Sequence, residues 1–111
     1  MISIVIEKSS GICRSFSCVG HAGFAESGKD IVCAAASVLV INTVNAIDQL
    51  TDTPIEVSTD RDSGRIVARF PRDPDEKAGV LLEAMEMGLQ EICNQYGRRY
   101  ISFQVKEVQL C

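Results

Sequence analysis

The sequence predicts an α+β fold: a two-layer ββαββαβ domain with a mostly antiparallel sheet and two helices packed on it. Three observations carry this. Five short stretches alternate apolar and polar residues with the period of a strand. Two longer stretches repeat apolar residues with the period of a helix. Consecutive strand-like stretches are joined by the turns Lys8-Ser9-Ser10-Gly11 and Asp60-Arg61-Asp62-Ser63-Gly64, which makes hairpins and therefore antiparallel neighbours.

The first strand runs over 2–7, with Ile2, Ile4 and Ile6 on one face. The second runs over 12–19, with Ile12, Phe16 and Cys18 on one face and Arg14 as the exception. Asp30 then reads as a helix N-cap, its carboxylate accepting from an unpaired first-turn amide, and opens a helix over 31–50. Only a narrow arc of that helix is strongly polar: Asn42, Asn45 and Gln49. Cys33, Ala36, Leu39, Val40, Ile41, Val44 and Ile47 spread around most of the rest. A helix apolar nearly all round has to be covered on more than one side. One small sheet covers one side, and the expected second cover is the same helix of another subunit in a two-fold dimer.

Pro54 ends the connection that follows. Residues 55–59 and 65–70 alternate as the strands of a second hairpin. Asp73-Pro74-Asp75-Glu76 reads as a helix start, with Asp73 as the cap and Pro74 at the first helical position. The expected buried stripe of this second helix is Leu81, Ala84, Met85, Gly88, Ile92 and Tyr96, with Glu83, Glu86, Gln90 and Asn94 facing water. Gly97 suits a left-handed C-terminal cap. The last strand runs over 100–105, with Ile101, Phe103 and Val105 on one face.

Bulk properties narrow the function classes. The 111 residues read as one domain spanning 1–111, whose small core a partner subunit would extend. The formal net charge of −4 argues against a general nucleic-acid binder and suits a basic partner. The longest apolar run, 31–41, is short for a membrane span. Five cysteines are an odd number, and the start of the chain alternates like a strand rather than a secretory leader. The expected compartment is a reducing cytoplasm, with no cofactor and no metal.

The chemistry concentrates in residues 20–37. His21 is the single histidine of the chain. Cys33 is expected in the first turn of the helix, where unpaired amides and the helix dipole favour a thiolate and can hold the oxyanion formed when it attacks an amide carbonyl. His21 is placed either to form an ion pair with the thiolate or to take the thiol proton. Ala34, Ala35 and Ala36 keep bulk away from the sulfur. Gly23 and Gly28 bracket a loop suited to gating. Asp30 either only caps the helix or also orients His21 or the peptide. Ser37, one turn beyond Cys33, either hydrogen-bonds near the site or bonds back to its own helix. The alternative for the pair is a buried structural cysteine and a surface histidine.

Gly20-His21-Ala22, then Gly28-Lys29-Asp30-Ile31-Val32-Cys33-Ala34-Ala35 and Ser37, continuing through Asn42-Thr43-Val44-Asn45-Ala46-Ile47, resembles the ribosomal-processing cysteine protease family (Prp, YsxB-like). The likeness spans nearly the whole chain. It implies a Cys33 nucleophile and a His21 acid–base, with Asp30 and Ser37 near the site. It also implies a homodimer, and as activity the removal of a short N-terminal extension from a bacterial large-subunit ribosomal protein (number twenty-seven) after a hydrophobic, aromatic stretch.

Three other readings compete. Cys13, Cys18 and His21 give the zinc-like spacing C-x4-C-x2-H, but strict alternation puts Cys13 and Cys18 on opposite faces. A non-enzymatic, ribosome-associated binding module is compatible with the scaffold. A redox-sensing role for Cys33 lacks a resolving cysteine nearby in sequence.

Overall fold

A computed structural model describes residues 2–20, 27–60, 62–96 and 100–109, with 27–30 described by backbone alone. The elements are β1 (Ile2–Ser9), β2 (Ile12–Val19), α1 (Ser27–Leu50), β3 (Glu56–Asp60), β4 (Arg65–Arg69), α2 (Glu76–Tyr96) and β5 (Ile101–Glu107). They form a five-stranded sheet of order β3-β4-β2-β1-β5. Every neighbouring pair is antiparallel except β1 and β5, which the crossover through α2 makes parallel. The expected two-layer α+β architecture is the one observed. Gly97 lies outside the described residues.

The alternation in β1 becomes burial: Ile2, Ile4 and Ile6 are all in the core. In β2 the alternation breaks. The pairing with β1 slips between Glu7 and Lys8, so Glu7 opposes Ser15 and Lys8 opposes Cys13. Arg14 is the extra residue of this β-bulge, and its guanidinium pairs with Asp73. The slip turns Cys13 inward, onto the same core face as Phe16 and Cys18, and leaves Ile12 half-buried. The expectation that Ile12 shares the Phe16 face is therefore corrected, as is the placing of Cys13 and Cys18 on opposite faces. What separates those two thiols is distance along the strand, roughly 13–16 Å.

α1 starts earlier than expected, at Ser27 rather than Ile31. Its inner row is Val32, Cys33, Ala36, Val40, Val44 and Ile47. Asn42, Asn45 and Gln49 face water as expected, but the same arc carries exposed Ile31, Val38 and Ile41 towards the start of the helix. The outer face is thus apolar in its first half and polar in its second. Residues Ile31–Leu50 are long and apolar enough to cross a membrane, yet Val32, Ala36, Val40 and Ile47 sit in the core against α2 and the sheet.

The inner face of α2 is also rotated from the expected one. Ala78, Leu82, Met85 and Leu89 are buried, whereas Ala84 and Tyr96 are exposed and Leu81, Gly88 and Ile92 are half-buried. The helix has two partners. One row packs into the core, while Gly88 lies along the seam with α1, so close that a Cβ there would meet Leu39 at 2.6 Å. Glu86, expected in water, is half-buried and pairs with Lys8 at 2.8 Å. β5 keeps its parity, but burial fades along it from Ile101 to exposed Val105. β3 is an edge strand with every residue exposed.

Asp75, not Asp73, caps α2. Its Oδ1 accepts from the Ala78 amide at 2.9 Å and its Oδ2 from the Asp52 amide at 3.2 Å, while its own amide donates to Thr53 Oγ1 at 2.8 Å. One side chain thus satisfies an orphan amide of α2 and ties the α1–β3 connection to it. These contacts, the Ala78 amide foremost, hold the carboxyl below its ordinary value of 3.8. A depressed folded-state pKa means that the stabilisation is complete above 3.8 and lost as pH falls through the lower value. Asp75→Ala is expected to lower the Tm at pH 7, with a smaller difference from wild type at pH ~3. Thermal melts at the two pH values test this, and an unchanged difference would refute it.

Candidate active site

The site grows from the end of β2. Gly20 follows Val19 and lies against the start of β1: a Cβ on Gly20 would stand 2.9 Å from Ile2 Cγ1 and 3.0 Å from Ile2 Cα. On its other side is the β3–β4 turn. Gly64 there has φ +67°, and a Cβ on it would lie 2.1 Å from the Gly20 carbonyl oxygen. Neither position has room for a larger residue, and Gly64 also needs the left-handed backbone. The residue next in the chain is His21. His21 and Gly23 lie outside the described residues.

Cys33 is the seventh residue of α1 and therefore in its second turn. This corrects three expectations at once. Asp30 is inside the helix and not its N-cap. Gly28 is helical and not part of a loop. The unpaired amides belong to the first four residues of α1, so the amide of Cys33 is committed to the helix ladder and is not an oxyanion donor. The dipole effect, which fades within one turn, acts weakly on this sulfur. The thiol is only 2% exposed, so the sulfur is also less open than the run of alanines suggests. Ala34 and Ala35 face outward and Ala36 is fully in the core.

Ser37, one turn on, directs its hydroxyl to Cys18, hydrogen-bonding the sulfur of that residue. Cys18 is 1% exposed and also interacts electrostatically with Cys33. Burial first, and then the neighbouring Cys33, push the Cys18 thiol up to about 11, against the Ser37 hydrogen bond. The fold therefore joins Cys33, Ser37 and Cys18 at the end of β2 that leads to His21. The inward parity of Phe16 and Cys18 was readable in the sequence. That α1 would bring Ser37 and Cys33 onto Cys18 was not. Gly64 was likewise visible only as a turn residue.

The other thiols are elsewhere. Cys13 lies at the far end of β2, pushed up to about 11 chiefly by burial and then by Glu86. Cys93 packs at the core margin on α2, its pKa raised by burial. Among the described residues no three His, Cys, Asp or Glu side chains are grouped to hold a metal ion.

Comparison with known proteins gives this geometry its class. The profile of the family described as cysteine protease Prp matches residues 1–102. The ribosomal processing cysteine protease Prp of Bacillus subtilis is 37% identical over 102 residues, covering 86% of this chain and 90% of that one. The crystal structure of the essential Staphylococcus aureus ribosomal processing protease Prp with a substrate peptide superposes with a TM-score of 0.87 at 30% identity, covering 96% of this chain and 100% of that one. The same protease with a covalently linked product peptide gives 0.84 at 32% identity, with coverage of 96% and 100%. The protein is a cysteine protease. It belongs to the Prp family.

The Gly64–Gly20 contact is the most demanding packing at this site. Gly64→Ala is expected to cost about 1–2 kcal/mol from the left-handed backbone alone and more from the contact with Gly20. It should also lower peptide cleavage beyond the loss of folded protein, because the displaced residue adjoins His21. Urea unfolding and cleavage rate per folded molecule measure the two. Wild-type values of both would show the clamp to be unimportant.

Proposed function

We propose that the protein removes the short N-terminal extension of a bacterial large-subunit ribosomal protein, number twenty-seven, with Cys33 as nucleophile and His21 as acid–base. The observation that carries this is Cys33 lying beside Cys18, three residues before His21 in the chain. Three extended residues span roughly 10 Å at most, so the histidine starts from the edge of the thiol's own surroundings. Family membership supplies the reaction class. The relative solved with a covalently linked product peptide supports a covalent route.

In this mechanism His21 takes the proton of the Cys33 thiol, and the thiolate attacks the scissile carbonyl carbon. As the tetrahedral intermediate collapses, the C–N bond breaks and His21 gives its proton to the departing amine. Water, deprotonated by His21, then adds to the thioester and releases the acyl product. Cys33 sits beyond the helix start. Activation therefore depends on His21 rather than on the dipole. Substrate binding has to uncover the sulfur, since Cys33 is 2% exposed. The net charge of −4 suits a basic ribosomal substrate. The cytoplasm is the compartment that keeps such a thiol reduced.

Mass spectrometry of a peptide spanning the extension, incubated with wild type, Cys33→Ser and His21→Ala, tests the assignment. Cleavage at one bond by wild type, with a loss of 10³-fold or more in either variant, is the expected result. Wild-type cleavage by Cys33→Ser would end the proposal.

The working unit we propose is a homodimer joined through the first half of the outer face of α1. Ile31, Val38 and Ile41 are 57, 66 and 45% exposed there, an apolar strip of the kind that an isologous contact covers. Val38→Asp is expected to convert a dimer into a monomer in sedimentation at micromolar concentration. A wild-type monomer under those conditions would contradict the dimer.

A further inference from the structure

The tertiary structure supplies Cys33 with a second thiol that the sequence places fifteen positions away. Cys18 and Cys33 belong to one buried cluster, at 1% and 2% exposure. The hydroxyl of Ser37 bonds the Cys18 sulfur, and Ser37 is the i+4 neighbour of Cys33 on α1, so it stands on the same side of the helix. Residues 33–37 read Cys-Ala-Ala-Ala-Ser, so no side chain on this turn is longer than a cysteine. Cys13, at the other end of β2, and Cys93, on α2, have no such relation to Cys33.

We propose that Cys18 and Cys33 form a reversible dithiol–disulfide site, with Cys18 as the resolving cysteine that protects the nucleophile under peroxide and switches cleavage off. The link to cleavage rests on the assignment of Cys33 as nucleophile; the disulfide itself does not. In the first step the Cys33 thiolate attacks a hydroperoxide oxygen. The O–O bond breaks, the far oxygen leaves as water or alcohol after taking a proton, and the sulfur is oxidised by two electrons to a sulfenic acid. In the second step the Cys18 sulfur attacks the Cys33 sulfur. The S–S bond forms, the S–O bond breaks, and the hydroxyl leaves as water with the Cys18 proton. A dithiol reductant returns both thiols. Burial keeps the Cys18 thiol protonated at neutral pH, so it is a poor first target for peroxide and acts after Cys33 has been oxidised. A disulfide here locks the second turn of α1 to β2, with the nucleophile consumed.

The test is exposure of the full chain to a few equivalents of hydrogen peroxide, followed by intact mass and non-reducing peptide mapping. Cleavage of the extension peptide is followed in parallel, in wild type, Cys18→Ala and Cys18→Val. Thermal melts confirm that the variants fold; the valine variant keeps the core filled if alanine leaves a hole. In wild type the expected result is loss of two hydrogens, a linked peptide pair containing Cys18 and Cys33, complete loss of cleavage, and full recovery in dithiothreitol. In the Cys18 variants Cys33 is expected to gain two or three oxygens and not recover. Sulfinic acid at Cys33 in wild type at the rate seen in the variants, or a link from Cys33 to Cys13 or Cys93, would overturn the proposal. Formation of the Cys18–Cys33 link while Cys33→Ser still cleaves would instead fault the nucleophile assignment and leave the dithiol site standing.

Discussion

Three backbone segments meet at Gly20. The start of β1 lies on one side, the β3–β4 turn on the other, and the chain leaves the sheet between them. Added Cβ atoms would come to 2.9 Å from Ile2 or 2.1 Å from the Gly20 oxygen, so the crossing exists only because both Gly20 and Gly64 lack side chains. It fixes where β2 stops and hence where the segment carrying His21 begins. It also links the second hairpin to the site, because the β3–β4 turn holds the chain at Gly20, the residue before the histidine. A sheet edge with every residue of β3 exposed thus has a positional role through its turn.

The second constraint is burial of sulfur. Cys33 sits in the second turn of α1 and faces inward. Cys18, next to it, is kept neutral by the same core. The two sulfurs share one apolar core. This places a second sulfur in the surroundings of Cys33, as the proposed disulfide requires.

Strand and helix identities were legible because each element carries its own period. The places where sequence reasoning failed share one cause: a local signal was outweighed by a contact made elsewhere. Asp30 looks like a cap, yet α1 continues through Gly28 to Ser27, despite a glycine cost of about 1 kcal/mol. Asp73 looks like the cap of α2, yet Asp75 takes that role because it also reaches Asp52 and Thr53. The bulge at Arg14 reverses the parity of everything before it in β2. The inner row of α2 is rotated because two apolar rows compete, and packing decides which one faces the sheet.

The sequence by itself determined the ββαββαβ order, the turns, the apolar faces of β1 and β5 and the family, and it singled out His21 and Cys33 as the candidates for thiol chemistry. These are local: hydrophobic period, turn residues and the presence of particular side chains within a short span. The tertiary structure alone decided that Cys33 points into the core, that Ser37 serves Cys18, that Gly64 confines Gly20, and that the outer face of α1 is left apolar over its first half. The Gly64 contact depends on where the β3–β4 turn meets the end of β2, and the others on how α1 lies across the sheet, neither of which a period within a single element encodes.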